Sequence, residues 1–277
     1  MHKQKFLDEY AVYLSPDNLS EINSCLFYYC RNTCSFCIHW NKLDSIVGFN
    51  KEALEQKLEI YKQIIPKCKY DKVLLVLIGG EIFSHVPKSF FDMYKRFYFE
   101  LSEVAEKHGK EFVIEFCSNM QIKDPTPVVS LLEDCTNTII TTSYDETLRG
   151  NNLEVYKRNL DLFKDRIAAV ISLELEESIL AILKKKTSPL FDYIYNNFTT
   201  VFEPYIEVSP LPKTDQYDRM FDLWKEKMAK HYPKTVIVDD VKCSGQEFFV
   251  FPESKTIDDM KEVKDVEDAY LFSKGVK

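Results

Sequence analysis

Residues 73–81 read Val-Leu-Leu-Val-Leu-Ile-Gly-Gly-Glu, an unbroken aliphatic run that stops at two adjacent glycines and a carboxylate. Such a run has no polar face, so a strand built from it is covered on both sides, the condition of a strand inside a parallel sheet. Thr138–Thr142, Thr-Ile-Ile-Thr-Thr, is a second run of this kind. Outward from these two, further strands are expected at Ile22–Tyr29, Glu111–Cys117, Arg166–Leu173 and Thr200–Val208. Helices are expected between them at Lys51–Ile65, Lys88–His108, Pro127–Cys135, Leu153–Lys164 and Glu177–Asn196, with Asp215–His231 after the last strand. Periodicity carries these assignments: Phe90, Tyr94, Phe97, Leu101 and Val104 recur at steps of four and three before Gly109, and Leu54, Leu58, Tyr61 and Ile65 do so after a cap at Asn50. Alternating βα units of this length imply an α/β fold, either an open parallel barrel or a doubly wound sheet.

The composition sets limits on function. The chain has 277 residues, 45% of them hydrophobic, which suits a packed core and excludes disorder of the whole chain. Its net charge of −8 argues against sequence-independent nucleic-acid binding, which needs a basic surface. No apolar run reaches the roughly 18–20 residues of a membrane span. The opening MHKQKFLDEY has no signal-peptide stretch, so a cytoplasmic, membrane-independent protein is expected.

Four of the eight cysteines crowd into residues 25–37, and three of them form Cys30-Arg-Asn-Thr-Cys34-Ser-Phe-Cys37. Clustered cysteines without a secretion signal point to metal or redox chemistry rather than disulfides. Three thiolates make an incomplete structural zinc site unless His39 is the fourth ligand, at a spacing tighter than usual. The same three fit a four-iron, four-sulfur cluster with one iron left open. A group of buried thiols is the plain alternative. Cys68, Cys117, Cys135 and Cys25 read as small buried hydrophobes, with Cys117 at a strand end where a thiol could meet a substrate.

The placement of the polar signals is informative. The cysteine cluster follows the first expected strand, Gly79-Gly80-Glu81 the second, Ser118-Asn119 the third and Ser143-Tyr144-Asp145 the fourth. All fall at the C-terminal edge of the sheet, where barrel enzymes place their sites.

With these residues in place, positions of roughly 20–208 resemble the radical S-adenosylmethionine enzymes. The resemblance rests on C-x3-C-x2-C with Phe36 before the last cysteine, followed one βα unit later by Gly79-Gly80-Glu81. Ser118-Asn119-Met120, and Ser143-Tyr144-Asp145 followed by Arg149-Gly150, are similar to the branch of molybdopterin-precursor cyclases and peptide-modifying maturases.

The resemblance implies a partial (β/α)6 TIM-like barrel over 1–208 and an extension over 209–277 made of the final helix, a short β-hairpin and a C-terminal helix. It implies one [4Fe-4S] cluster on Cys30, Cys34 and Cys37, with S-adenosylmethionine at the open iron. Phe36 would pack near the adenine, and Gly79 and Gly80 would let the backbone approach the methionyl amine. Glu81 would orient that end or anchor the loop, while Ser118, Asn119 and Ser143 would hydrogen-bond the ribose or methionyl carboxylate. His39 and Trp40 would pack or line the rim. The implied reaction is reductive cleavage to a 5′-deoxyadenosyl radical that abstracts hydrogen from a substrate, with a flavodoxin- or ferredoxin-like electron donor.

The chain departs from its resembled branch at the C-terminus. Lys242-Cys243-Ser244-Gly245 begins like a cluster-binding extension, yet no cysteine follows residue 243, so a single cluster is expected. Thr256–Lys277 reads as an amphipathic helix through Ile257, Met260, Val263 and Val266. Three functions stay open: a radical enzyme acting on a peptide or protein, one acting on a nucleoside or other small metabolite, and a non-catalytic iron–sulfur or zinc protein.

Overall fold

The computed structural model describes residues 19–31, 44–144, 153–172, 187–202, 222–223, 225–227, 230–237 and 246–263. Strands and helices alternate: β1 (Leu19–Cys25), α1 (Lys51–Ile64), β2 (Lys72–Ile78), α2 (Lys88–Lys107), β3 (Glu111–Cys117), α3 (Thr126–Asp134), β4 (Thr138–Tyr144), α4 (Leu153–Leu162) and β5 (Ile167–Ser172). They continue with α5 (Pro189–Asn197), β6 (Thr200–Phe202), β7 (Thr235–Ile237), β8 (Gln246–Val250) and β9 (Lys261–Val263).

The described strands form one sheet in the order β7-β6-β5-β4-β3-β2-β1-β8-β9. Every neighbouring pair is parallel except β8 with β9. From β1 to β7 the strands are added one after another in a single direction, and with the right-handed crossovers that parallel units adopt this keeps their helices on one face, the winding of a barrel and not of a doubly wound sheet.

The packing agrees. One face of the sheet meets the helices in a large core that includes Ile22, Leu75, Leu77, Ile114 and Phe116 together with Leu58 and Tyr61 of α1 and Tyr94, Phe97 and Leu101 of α2. Each large apolar side chain buried there contributes about 1.5–3 kcal/mol relative to exposure. The other face carries a small cluster drawn from strands alone, Leu19, Leu74, Val76, Val113, Ile139 and Ala168. That second face is the inside of an open, partial barrel.

Local chemistry sets the helix starts. The Asn50 side chain accepts from the Ala53 amide at 2.8 Å and caps α1. Ser188 does the same for α5 through Phe191, with Pro189 in the first turn where its missing N–H costs nothing. The helix expected over Glu177–Asn196 is therefore observed from Pro189, and residues 177–186 lie outside the described ones.

β1 begins three residues before the expected Ile22 and ends at Cys25 rather than Tyr29. Its alternation is inverted, because half-buried Glu21 and Asn23 face the barrel interior while Ile22 faces the helices. Beyond residue 208 the chain rejoins the sheet at both ends: β7 pairs with β6 and β8 with β1. β8 pairs antiparallel with β9, which lies within the stretch expected to be helical, and β8 also adds itself to the barrel sheet. The amphipathic helix expected from Thr256 is not what residues 256–263 form. A capping box between Thr256 and Asp259 starts a single 3₁₀ turn, Ile257–Asp259, and β9 follows. Ile257 and Met260, partly buried, still pack against the core, so their spacing of three marks a turn docked on it.

Candidate functional site at the C-terminal edge of the barrel

The C-terminal ends of β1 to β4 carry the residues singled out by sequence. From β1 the chain continues through Leu26–Tyr29 to Cys30. The Leu26 amide donates to the Ile78 carbonyl at 2.8 Å, and the Gly80 amide donates to the Phe27 carbonyl at 2.8 Å. The double glycine thus prolongs the β1–β2 contact past the end of either strand and delivers Cys30, half-buried, beside it.

Gly80 is glycine for a packing reason. An ideal Cβ there would lie 1.9 Å from the Tyr29 carbonyl oxygen and 2.6 Å from that of Tyr28. At Gly79 the nearest atoms are side-chain carbons, Ile82 Cγ2 at 3.0 Å and Phe27 Cε2 at 3.3 Å, which yield more readily. The bare Cα at position 80 admits the protein's own backbone.

Glu81 is buried and joins two strand ends. Its Oε1 accepts from the Phe83 amide (3.0 Å), the Ser84 amide (3.3 Å) and the Ser118 hydroxyl (2.8 Å), and its Oε2 from the Asn119 amide (2.8 Å). Of the two roles expected for Glu81, the geometry supports the loop anchor, since both oxygens are engaged by the protein. The Ser118 hydroxyl also accepts from the Met120 amide at 3.1 Å, and the Asn119 Oδ1 from the Gln121 amide at 2.8 Å. Met120 takes a left-handed conformation with φ 58°, a region that favours glycine. Ser118 is therefore committed to the loop, whereas Asn119 is tied by its backbone and carbonyl oxygen.

Ser143 is half-buried near the end of β4, on the interior face two residues beyond Thr141, and its carbonyl accepts from Tyr156 at 3.2 Å. Cys34, Phe36, Cys37, His39, Trp40, Asp145, Arg149, Gly150 and Cys243 lie outside the described residues. Among the described residues no group of three or more His, Cys, Asp or Glu side chains is arranged to hold a metal ion.

Beside Cys117, whose strand-end place was read from the sequence, the interior face adds residues not anticipated as site residues. Asn23, Val76, Glu115 and Ile139 are register partners across four strands, and Cys25, Ile78, Cys117 and Thr141 occupy the layer nearer the C-terminal edge. Glu115 is buried, and the Cys117 thiol points at it with Sγ 3.7 Å from Oε1. Burial, then the Glu115 charge, pushes the Cys117 thiol well above its ordinary value and keeps it protonated. Period two along β3 was the available signal, since Glu115 precedes Cys117 by two residues. Cys68 and Cys135 are buried, as expected, and Cys135 is pushed up to about 12 by burial.

At the rim, His85 adopts φ 69°, and its imidazole is held below its ordinary value by desolvation and by the Arg31 charge, against the opposing pull of Glu81. No helix among the described residues is long and apolar enough to cross a membrane.

No family model and no curated protein matches the chain. The chain is similar in structure to several solved proteins, each at low identity. Native anSMEcpe with bound AdoMet and Cp18Cys peptide aligns with a TM-score of 0.47 and 16% identity over 79% of this chain and 63% of that one. SuiB of Streptococcus suis aligns at 0.44 and 14% over 83% of this chain and 52% of its own length. HydG, a maturase of the [FeFe]-hydrogenase, aligns at 0.45 and 14% over 86% and 56%. This chain thus spans less than two thirds of each of these proteins, and the reading of its site rests on its own residues.

Proposed function

We propose that this protein is a radical S-adenosylmethionine enzyme with one [4Fe-4S] cluster, acting on a peptide or protein. The observation that carries the proposal is the convergence at one sheet edge. Cys30 leaves β1 against the Gly79-Gly80 turn of β2, and Glu81 of that turn holds Ser118 and Asn119 at the end of β3. A purely structural metal site has no need of the second and third of these.

The donor set fits the cluster at the ligand position described. Cys30 is a half-buried thiol at the mouth of a barrel whose interior holds polar groups. Cys30, Cys34 and Cys37 would hold three irons. When bound, the cluster with S-adenosylmethionine supplies a 5′-deoxyadenosyl radical. The protein's part is positional: Gly80 lets the Tyr28–Tyr29 backbone close on the β2 turn, and Glu81 rigidifies the strand-end loops. Asn119 and Ser143 would contact the cofactor, and the concave face bearing Asn23, Glu115, Cys117 and Thr141 would face the substrate. Val76 and Ile139 share the layer of Asn23 and Glu115, with Leu74 and Val113 one layer further in.

Ser143-Tyr144-Asp145 with Arg149-Gly150 supports a peptide substrate. The test is anaerobic reconstitution with iron and sulfide, followed by reductant and S-adenosylmethionine. Formation of 5′-deoxyadenosine by a brown protein with about four irons per chain supports the proposal. A colourless, zinc-loaded protein that turns over substrate without it would overturn it. Deuterium exchange into added peptides, against a nucleoside pool, separates the substrate classes.

A further inference from the structure

The segment Leu26–Tyr29, which launches Cys30, is gripped on a second side, by the turn that follows β8. Because β8 runs parallel to β1, the two chains leave the sheet at the same edge, and residues 251–254 emerge beside residues 26–28. That turn is closed on itself: the Phe251 amide donates to the Ser254 hydroxyl at 3.1 Å, and the Ser254 amide to the Phe251 carbonyl at 3.1 Å. It is also bolted to α1. Lys57, 1% exposed, donates its ammonium to the Pro252 carbonyl at 3.1 Å and to the Ser254 carbonyl. Gly48, with φ +79°, fits between the two segments, since a Cβ there would lie 2.2 Å from the Leu26 carbonyl oxygen and 3.2 Å from Pro252 Cβ. From this turn Glu253 reaches across, and the Tyr28 hydroxyl donates to its Oε2 at 3.0 Å. Tyr28 is 4% exposed and stands two residues before Cys30.

We infer that Glu253 and Tyr28 are positioning residues for Cys30: the turn Phe251–Ser254, anchored by Lys57, fixes through the Tyr28 hydroxyl the point from which the cysteine loop departs. A buried lysine with both its carbonyl partners on one turn makes that turn a rigid reference, and a charge-assisted hydrogen bond transfers its position to the β1 exit. The opposite flank is already set by Gly80, so the β1 exit is held from both sides. The inference rests on the cluster reading only for what Cys30 binds, while the positioning is a property of the protein alone.

The test uses the full chain and two readouts. In metal-free protein, the rate of Cys30 alkylation by iodoacetamide is followed by peptide mass spectrometry, with buried Cys135 as the reporter of global opening. In reconstituted protein, the rate of iron loss to bathophenanthroline is followed by absorbance. Tyr28→Phe and Glu253→Ala are expected to raise both rates roughly fivefold to tenfold, as the loss of one hydrogen bond allows. Glu253→Gln, which still offers an oxygen acceptor, is expected to stay within about twofold of the parent. Cys135 should stay unlabelled throughout. Equal Cys30 rates in all variants would overturn the inference, and so would Cys30 and Cys135 labelling that rise together. If the parent protein takes up no iron, the proposed function fails while the alkylation series still decides the positioning.

Discussion

The carbonyl oxygen of Tyr29 occupies the place where a side chain on Gly80 would begin, 1.9 Å from an ideal Cβ. Any larger residue at position 80 must push the Tyr28–Tyr29 backbone away, and Cys30 moves with it. Gly80→Ala is therefore expected to destabilise the fold by about 2–3 kcal/mol, an overpacking cost, and to lower iron uptake as well. Gly79→Ala meets only side chains and should cost less than about 1 kcal/mol. Denaturant titrations of both variants, with iron assays after reconstitution, compare them; equal effects at the two positions would contradict the packing argument.

Glu81 should be worth more to stability than a surface carboxylate. Glu81→Ala orphans three backbone amides and the Ser118 hydroxyl in a buried place, so a loss of about 3 kcal/mol or more is expected. Ser118→Ala removes one member of the network and should cost about 1 kcal/mol. Urea unfolding measures both, and an unchanged midpoint for Glu81→Ala would rule out its anchoring role.

Lys57 makes stability depend on pH. Burial lowers its folded-state value to about 8 from 10.5, with Glu253 and Asp259 opposing the shift. A depressed value means that the unfolded chain holds the proton more tightly, so stability rises as pH climbs from about 8 to about 10.5 and is lost again as pH falls through 8. The contribution is about 3 kcal/mol at most. Unfolding free energies of the parent and Lys57→Met are measured from pH 7 to pH 10, and the parent should gain on the variant as pH rises past 8; parallel profiles would place the lysine in water.

Cys117 should be slow to react with thiol reagents. Its half-buried thiol is held protonated by desolvation and by Glu115, so native protein at pH 8 should alkylate it much more slowly than urea-unfolded protein does. Glu115→Gln removes the charge and should make native-state labelling measurably faster. Prompt labelling of Cys117 in the parent protein would show that the barrel interior is open to solvent there.

Sequence periodicity determined the alternation of strands and helices between residues 51 and 167 to within about two residues, because each apolar run or helical stripe reports its own local burial. The edge on which Cys30, Gly79-Gly80-Glu81, Ser118-Asn119 and Ser143 gather also followed from sequence, since in a parallel sheet every residue just after a strand emerges on one side. The bounds of β1 were hidden because Glu21 and Asn23 turn polar side chains into the barrel, which inverts the usual pattern. Why Gly80 is bare, and that Glu81 is spent on Ser118 and Asn119, depended on backbone distances across strands. The same holds for the C-terminal segment. Its spacing of apolar residues reads as a helix, yet β8 finds an unpaired edge on β1, and residues 251–259 then lie over Lys57 and Tyr28. Only tertiary structure decides such a match, because the competing free energy belongs to a partner about two hundred residues away in the chain and leaves no local periodicity to read.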